Sequence, residues 1–281
     1  MLENMNIMLQ KAKKHHYAIP QFNINNCEWA KYILQECNSL NVPVILGVSE
    51  GAIKYIGGYN TVALMIKGLI KDLNINIPVC IHLDHGTTIE SCKQAIDSGF
   101  TSVMIDASKY SLEKNIEITK EVVEYAKDKN ISVEAEVGYI GVDDENSTTG
   151  ILNAKVEDCL ILYDKTNVSA LAPAIGNAHG LYTQKPNLDF KTLKIINDTI
   201  AIPLVLHGGT GIPEEQLKEA IACGINKINI NTDLQVAWNN SIREYIEKEK
   251  DIYDPRKIIS SGETAIKERI KEIVTLFGTK I

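Results

Sequence analysis

The sequence predicts an α/β fold, a parallel (β/α)8 TIM barrel with a C-terminal helical extension, and three observations lead there. Eight short apolar, β-branched runs alternate with longer segments of helical period along the chain. The runs are continuously apolar, as parallel strands are when helices cover them. Polar residues gather at their downstream ends, where a barrel of this kind carries its chemistry. The runs lie at 19–23, 44–48, 79–84, 102–106, 132–137, 169–175, 204–207 and 227–230. An open doubly wound sheet is the competing arrangement, whereas right-handed crossovers between eight strands close a ring.

The helical segments carry their own punctuation. Thr87 with Glu90 forms a candidate capping box, Ile89, Cys92 and Ile96 give a buried stripe, and Gly99 stops the helix. Pro213 suits a first helical turn, Glu214 and Glu215 complement the dipole, Leu217, Ala220 and Ile221 share a face, and Gly224 ends it. Residues 138–150 are polar and glycine-bounded, the composition of a long loop. After Asp233 the pattern stays helical, broken at Tyr253-Asp254-Pro255. The reading is one domain over 1–281, with the barrel at about 17–250 and the helical extension at about 251–281.

Composition narrows the function. The 281 residues are 44% hydrophobic and 23% charged, enough for a large core, which excludes a disordered or fibrous chain. Against 36 acidic residues stand 29 basic ones, and the net charge of -7 repels nucleic acid and anionic membrane surfaces. Apolar runs such as 43–48 fall far short of the roughly 20 residues a bilayer span needs. Glu3 comes early and no leader-like apolar region follows, so a cytoplasmic location is expected. Cys27, Cys37, Cys80, Cys92, Cys159 and Cys223 form no CxxC pair and read as reduced packing residues.

Three histidines stand at strand ends: His85 in HLDH, His179 in GNAHG and His207 in LVLHGG. Imidazoles converging from separate strands make a tetrahedral divalent site with one open position, while any one alone also fits a hydrogen-bonded histidine. His15 and His16 read as solvated and His82 as structural. Asp84 precedes His85, and neighbouring strand residues face opposite ways, so both reach one site only if the chain turns there. Gly86-Thr87 permits that turn. A carboxylate beside a metal serves as a proton carrier or as an acid that orients an imidazole. Asp106 and Glu136 are strand-end acids in need of a cation, and Glu134 lies deeper with a structural role. His207-Gly208-Gly209-Thr210-Gly211 opens a helix, and 227–232 follows one strand later. Together they match the phosphate site that such barrels build after strands seven and eight.

Through QFNINN (21–26), PVILGVSEGA (43–52), IHLDHG (81–86), GFTSVMIDAS (99–108), VEAEVG (133–138), HGGTGIP (207–213), KININ (227–231) and YDPRK (253–257), the chain resembles the class II, metal-dependent fructose-bisphosphate aldolases. The closely similar tagatose-bisphosphate aldolases share most of these motifs. The resemblance implies zinc on His85, His179 and His207, with cobalt or iron accepting the same ligands, and a second or alternative divalent position at Asp106 and Glu136. It implies Asp84 as the proton-transfer residue. Gly180, Gly208, Gly209, Thr210, Asn229, Ile230, Asn231 and Thr232 would hold a phosphate, often with a monovalent cation, Na+ or K+. Asn23 and Ser49 would contact substrate, and Asp233 resembles fructose-type members.

The implied reaction is reversible cleavage of fructose 1,6-bisphosphate to dihydroxyacetone phosphate and glyceraldehyde 3-phosphate through a metal-stabilised enediolate, with no Schiff-base lysine. Tagatose 1,6-bisphosphate is the alternative substrate, and a metal- and phosphosugar-binding protein with little catalysis is a third reading. Relatives protonate the enediolate with a glutamate in a GGxED loop. Here Gly141-Val142-Asp143-Asp144-Glu145 puts Asp144 in that place, with Glu145 serving if the loop shifts by one, or all three acids solvated. Arginine occurs only at Arg243, Arg256 and Arg269, and Ser260 stands where some members carry one, which leaves the far phosphate to a lysine or a neighbouring subunit. Relatives imply a homodimer or homotetramer.

Overall fold

The computed structural model describes residues 1–141, 152–180, 182 and 184–280. Helix α1 (Met5–His15) is followed by β1 (Ile19–Asn23), α2 (Cys27–Ser39), β2 (Val44–Ser49), α3 (Glu50–Ile56) and α4 (Tyr59–Asp72). The alternation continues through β3 (Val79–Gly86), α5 (Ile89–Ser98), β4 (Ser102–Ile105), α6 (Leu112–Lys127), β5 (Ser132–Val137) and α7 (Val156–Thr166). Then come β6 (Ala170–Pro173), α8 (Phe190–Thr199), β7 (Leu204–Leu206), α9 (Glu214–Ala222) and β8 (Ile225–Ile230). Helices α10 (Thr232–Lys248), α11 (Pro255–Ser260) and α12 (Glu263–Phe277) follow. The strands close into a parallel barrel in sequence order, β8 pairing with β1, which excludes the open sheet.

Every second strand residue faces the lumen. The outward set, including Phe22, Leu46, Leu83, Val133 and Ile228, packs with the helices in the main apolar core. The inward set begins apolar: Ile19, Ile45, Cys80, Ala170 and Val205 meet Met5, Met8 and Leu9 of α1, which plugs the N-terminal mouth. Farther along the barrel axis inward positions turn polar, at Gln21, His82, Glu134 and Lys227 and then at Asn23, Asp84, Glu136 and Asn229, all buried.

Helix α12 of the C-terminal helical extension packs against β1, α2, α9 and α10. The capping box of α5 lies one residue later than expected. Thr88 Oγ1 accepts from the Ser91 amide at 3.0 Å, and Ser91 Oγ accepts from the Thr88 amide at 3.2 Å. Thr87 is claimed instead by Glu50, whose carboxylate accepts from its amide and hydroxyl at 2.9 Å. Pro213 is the residue before α9 and not within its first turn. Cys27 is exposed and Cys223 half-buried, so packing accounts for only the four buried cysteines.

Candidate active site

The site is built where the polar ends of the strands meet. At its centre, the chain makes the turn that Asp84 and His85 require. His85 takes a left-handed backbone with φ 52°, and the β3–β4 register shifts between Leu83 and Gly86. That conformation costs a non-glycine residue roughly 1–2 kcal/mol. It brings two successive side chains to one cavity. Gly86 completes the turn, because a Cβ there would stand 2.7 Å from the Met104 carbonyl oxygen.

Asp84 is clamped by three amides. Gln21 Nε2 donates to Oδ1 at 2.9 Å, Asn229 Nδ2 to Oδ1 at 3.3 Å, and Asn23 Nδ2 to Oδ2 at 2.7 Å. Burial pushes the Asp84 carboxyl up, but the charges of His85 and Lys227 and the amide bonds outweigh it and hold it well below the usual carboxylate range. The carboxylate is therefore ionised and oriented. Gly47 makes room for the clamp: a Cβ there would lie 2.4 Å from Gln21 Nε2.

The three imidazoles converge as the sequence predicted. Ring centroids are 4.8 Å apart for His85 and His179, 4.7 Å for His85 and His207, and 5.9 Å for His179 and His207. Their donor atoms fall within 4.8 Å of one another, and so do those of His85, Asp106 and Glu136. Asp106 Oδ2 bonds His85 Nδ1 at 2.9 Å and Glu136 Oε2 meets His207 Nδ1 at 3.1 Å. Nε2 of His85 and Nε2 of His179 are buried without a partner. Buried polar atoms ordinarily find one, so two orphaned lone pairs aimed at a common centre fit a cation held by nitrogen and oxygen donors. Burial, then the neighbouring His85 and His207, lowers the His179 pKa to about 3, which keeps its ring neutral. In His207 burial also lowers the pKa, but Glu134 and Glu136 prevail and raise it to about 9.

A cleft of about 100 Å³ opens beside these rings, lined by Asn23, Asp84, His85, His179, Gly180, Gly208, Thr210, Asn229, Asn231 and Thr232. Gly208 has φ 62°, and a Cβ there would fall 1.8 Å from the Ala178 carbonyl oxygen, so only glycine lets the two loops meet. Helix α10 starts at Thr232 without a cap from the Asn231 side chain; the Asp233 amide donates instead to Thr210 Oγ1 at 3.3 Å, which ties the start of the helix to the loop after β7.

Other expected residues stand elsewhere. Ser49 Oγ accepts from the Ala52 amide at 3.2 Å and caps α3. Gly209 donates its amide to the Asn229 carbonyl at 3.0 Å, and the Ile230 side chain joins the helix-facing core. Asp233 is paired with Arg269 at 3.0 Å rather than turned into the cleft. Arg256 pairs with Asp254 on the surface. Asp144 and Glu145 lie outside the described residues. Sequence reasoning missed three residues: Gln21, Lys227, and Asn177, whose amide donates to the His207 carbonyl at 3.0 Å and ties the GNAHG loop to β7. Strand parity offered the signal for the first two, each lying two residues before an asparagine already singled out.

Comparison with known proteins agrees with this geometry. The family profile described as fructose-bisphosphate aldolase class-II matches residues 3–280. Fructose-bisphosphate aldolases of Geobacillus stearothermophilus and of Staphylococcus epidermidis RP62A are each 50% identical over 279 residues, 99% of this chain, and 97% and 98% of their own lengths. Among solved structures, the YdjI aldolase of Escherichia coli K12 has a TM-score of 0.86 at 31% identity, with 100% of this chain and 98% of that one covered. The fructose-bisphosphate aldolase of Campylobacter jejuni has a TM-score of 0.82 at 25% identity, with 99% and 95% covered. The chain belongs to the class II fructose-bisphosphate aldolase family.

Proposed function

We propose that this cleft cleaves fructose 1,6-bisphosphate reversibly to dihydroxyacetone phosphate and glyceraldehyde 3-phosphate. The observation that carries the reading is the convergence of three imidazole donors, within 4.8 Å of one another, beside an ionised Asp84. His85, His179 and His207 would hold the divalent cation of the family, with Asp106 and Glu136 as a second or alternative position. Zinc is the ion that three imidazoles with an open fourth position favour. When bound, it supplies the electrophile for the charge that develops on the ketose oxygens as the carbon–carbon bond breaks.

The chain's own residues do the rest. Asp84 takes the proton of the C4 hydroxyl in cleavage and returns it in condensation, its carboxylate aimed by Gln21, Asn23 and Asn229. Gly180, Gly208, Thr210, Asn229, Asn231 and Thr232 line the cavity that receives the phosphate, whose grip fixes the reacting bond over Asp84. A Na+ or K+ ion beside that phosphate, a homodimer or homotetramer, and a cytoplasmic location belong to the same reading. Among the described residues no helix is long and apolar enough to cross a membrane.

A coupled assay with fructose and tagatose bisphosphates, run before and after metal stripping, tests the proposal. Turnover is expected to favour fructose, to vanish on stripping, to return with zinc and to survive borohydride added with substrate. Full turnover in stripped enzyme, or borohydride inactivation, would overturn it. Asp144→Asn and Glu145→Gln in the same assay tell which loop acid returns the proton to carbon.

A further inference from the structure

The barrel interior holds an ion pair with no direct part in the reaction above, although the Lys227 charge helps keep Asp84 ionised. Lys227 and Glu134 are both fully buried, with Nζ 2.8 Å from Oε2. They project from β8 and β5, two strands that do not pair, so the contact crosses the lumen. The other oxygen, Glu134 Oε1, lies 2.9 Å from His207 Nε2. His82 Nε2 is 3.8 Å from the carboxylate, beyond hydrogen-bond range, and His82 Nδ1 engages Ser102 at 2.8 Å. Glu134 is therefore committed to one lysine and one imidazole.

His207 differs from its two companions. His85 and His179 each leave Nε2 free, whereas His207 has a carboxylate on both ring nitrogens. A neutral imidazole that gives one lone pair to a cation must keep its proton on the other nitrogen, and the acceptor of that proton fixes tautomer and ring plane together. Glu136 also belongs to the donor group with His85 and Asp106, so it stands on the side a cation enters. Glu134 faces the closed interior, anchored by Lys227.

Resting on the metal reading above, we infer that Glu134 and Lys227 are a positioning pair: Glu134 holds the Nε2–H of His207, which makes Nδ1 the metal-facing nitrogen, and Lys227 supplies the counter-charge that lets a carboxylate sit in the lumen. A structural pair would contribute to stability alone; a positioning pair also sets metal affinity.

Three measurements separate the two: zinc affinity by chelator competition, thermal melting of the metal-free protein, and histidine ring nitrogen shifts of the zinc-loaded protein by NMR. In the wild type the ring spectrum is expected to show His207 protonated at Nε2. Glu134→Gln, which removes the charge and presents an amide donor to the ring, should weaken zinc binding by roughly 10- to 100-fold. The double variant Glu134→Gln with Lys227→Met removes the stranded lysine charge, so it should recover melting temperature but not affinity. Zinc on Nε2 of His207, affinity within about twofold of wild type in folded Glu134→Gln, or affinity restored together with stability in the double variant would each overturn the inference. Wild-type protein that binds no zinc would instead overturn the metal reading beneath it.

Discussion

The two ends of the barrel are made by the same eight strands and could hardly differ more. At the N-terminal end Ile19, Ile45, Cys80, Ala170 and Val205 point inward and are sealed by Met5, Met8 and Leu9. Four residues on from Ile19 and Cys80, at the other end, stand Asn23 and Asp84, with Glu136, His207 and Asn229 around them. The two-residue period of a strand delivers apolar plug and polar site from one run of chain, separated only by distance along the axis. Along the lumen, apolar packing is thereby concentrated at one mouth and chemistry at the other. The intervening layer of Gln21, His82, Glu134 and Lys227 is where the two meet, and its charges are tolerated because each has a partner.

The largest test of this division is Asp84→Ala. Loss of a positioned acid–base group is expected to lower kcat/KM by about 10²- to 10⁴-fold. Because it also leaves the Gln21, Asn23 and Asn229 amides without their acceptor, stability should fall by about 1–3 kcal/mol. A severe loss of stability would show that the mouth is part of the structural core after all. The converse is Leu9→Ala in α1, a fully buried side chain whose truncation should cost roughly 2–5 kcal/mol by chemical denaturation. Activity per folded molecule should stay at the wild-type level. Lost activity in folded protein would show that the plug tunes the site.

Gly47→Ala probes the middle layer. The added methyl group would collide with the Gln21 amide, 2.4 Å away, and pull it from Asp84. Misplacing a catalytic group by about 1 Å can cost on the order of 10²-fold, so kcat should fall while zinc affinity holds. Unchanged kcat would show that Asn23 and Asn229 hold Asp84 without Gln21.

Much of this was legible because local composition and period carry it. The ranges read for β1 and β5 agree with the structure, and all three histidines were visible as strand ends. What escaped notice depends on closure. Lys227 is a charge inside an apolar run, and nothing near it in sequence reveals that Glu134 lies across the lumen, 93 positions away. Asp233, which after Asn231-Thr232 resembles the residue of fructose-type members, is paired with Arg269, 36 residues on. Ser49, expected to contact substrate, has its Oγ engaged as an acceptor in the cap of α3. Distant partners decide such cases.

Metal affinity should also depend on pH, and the sign follows from His207. Its pKa is lowered by burial but raised further by Glu134 and Glu136, to about 9, so below that value a proton occupies the ring that the cation needs. Zinc affinity is expected to rise with pH toward 9, by up to about tenfold per unit for this one proton, and then to flatten. Calorimetry in buffers of different ionisation enthalpy would register proton release at pH 7. Zinc uptake without any would mean that the ring is already neutral.

The smallest expected effects give the most direct comparison of the two ends, because two helix caps of similar chemistry lie one at each. Asn4 Oδ1 accepts from the Asn6 amide at 2.8 Å and starts α1, the plug. Thr88 starts α5, three residues after His85. Replacing either with alanine should cost about 1 kcal/mol of stability. If the ends divide labour, Asn4→Ala leaves kcat and zinc affinity untouched. Thr88→Ala loosens the turn that holds His85 in its left-handed conformation, and should lower zinc affinity severalfold. Equal behaviour of the two variants in the zinc titration would mean that the turn at His85 is fixed by Gly86 and the barrel itself, with no help from the helix that follows.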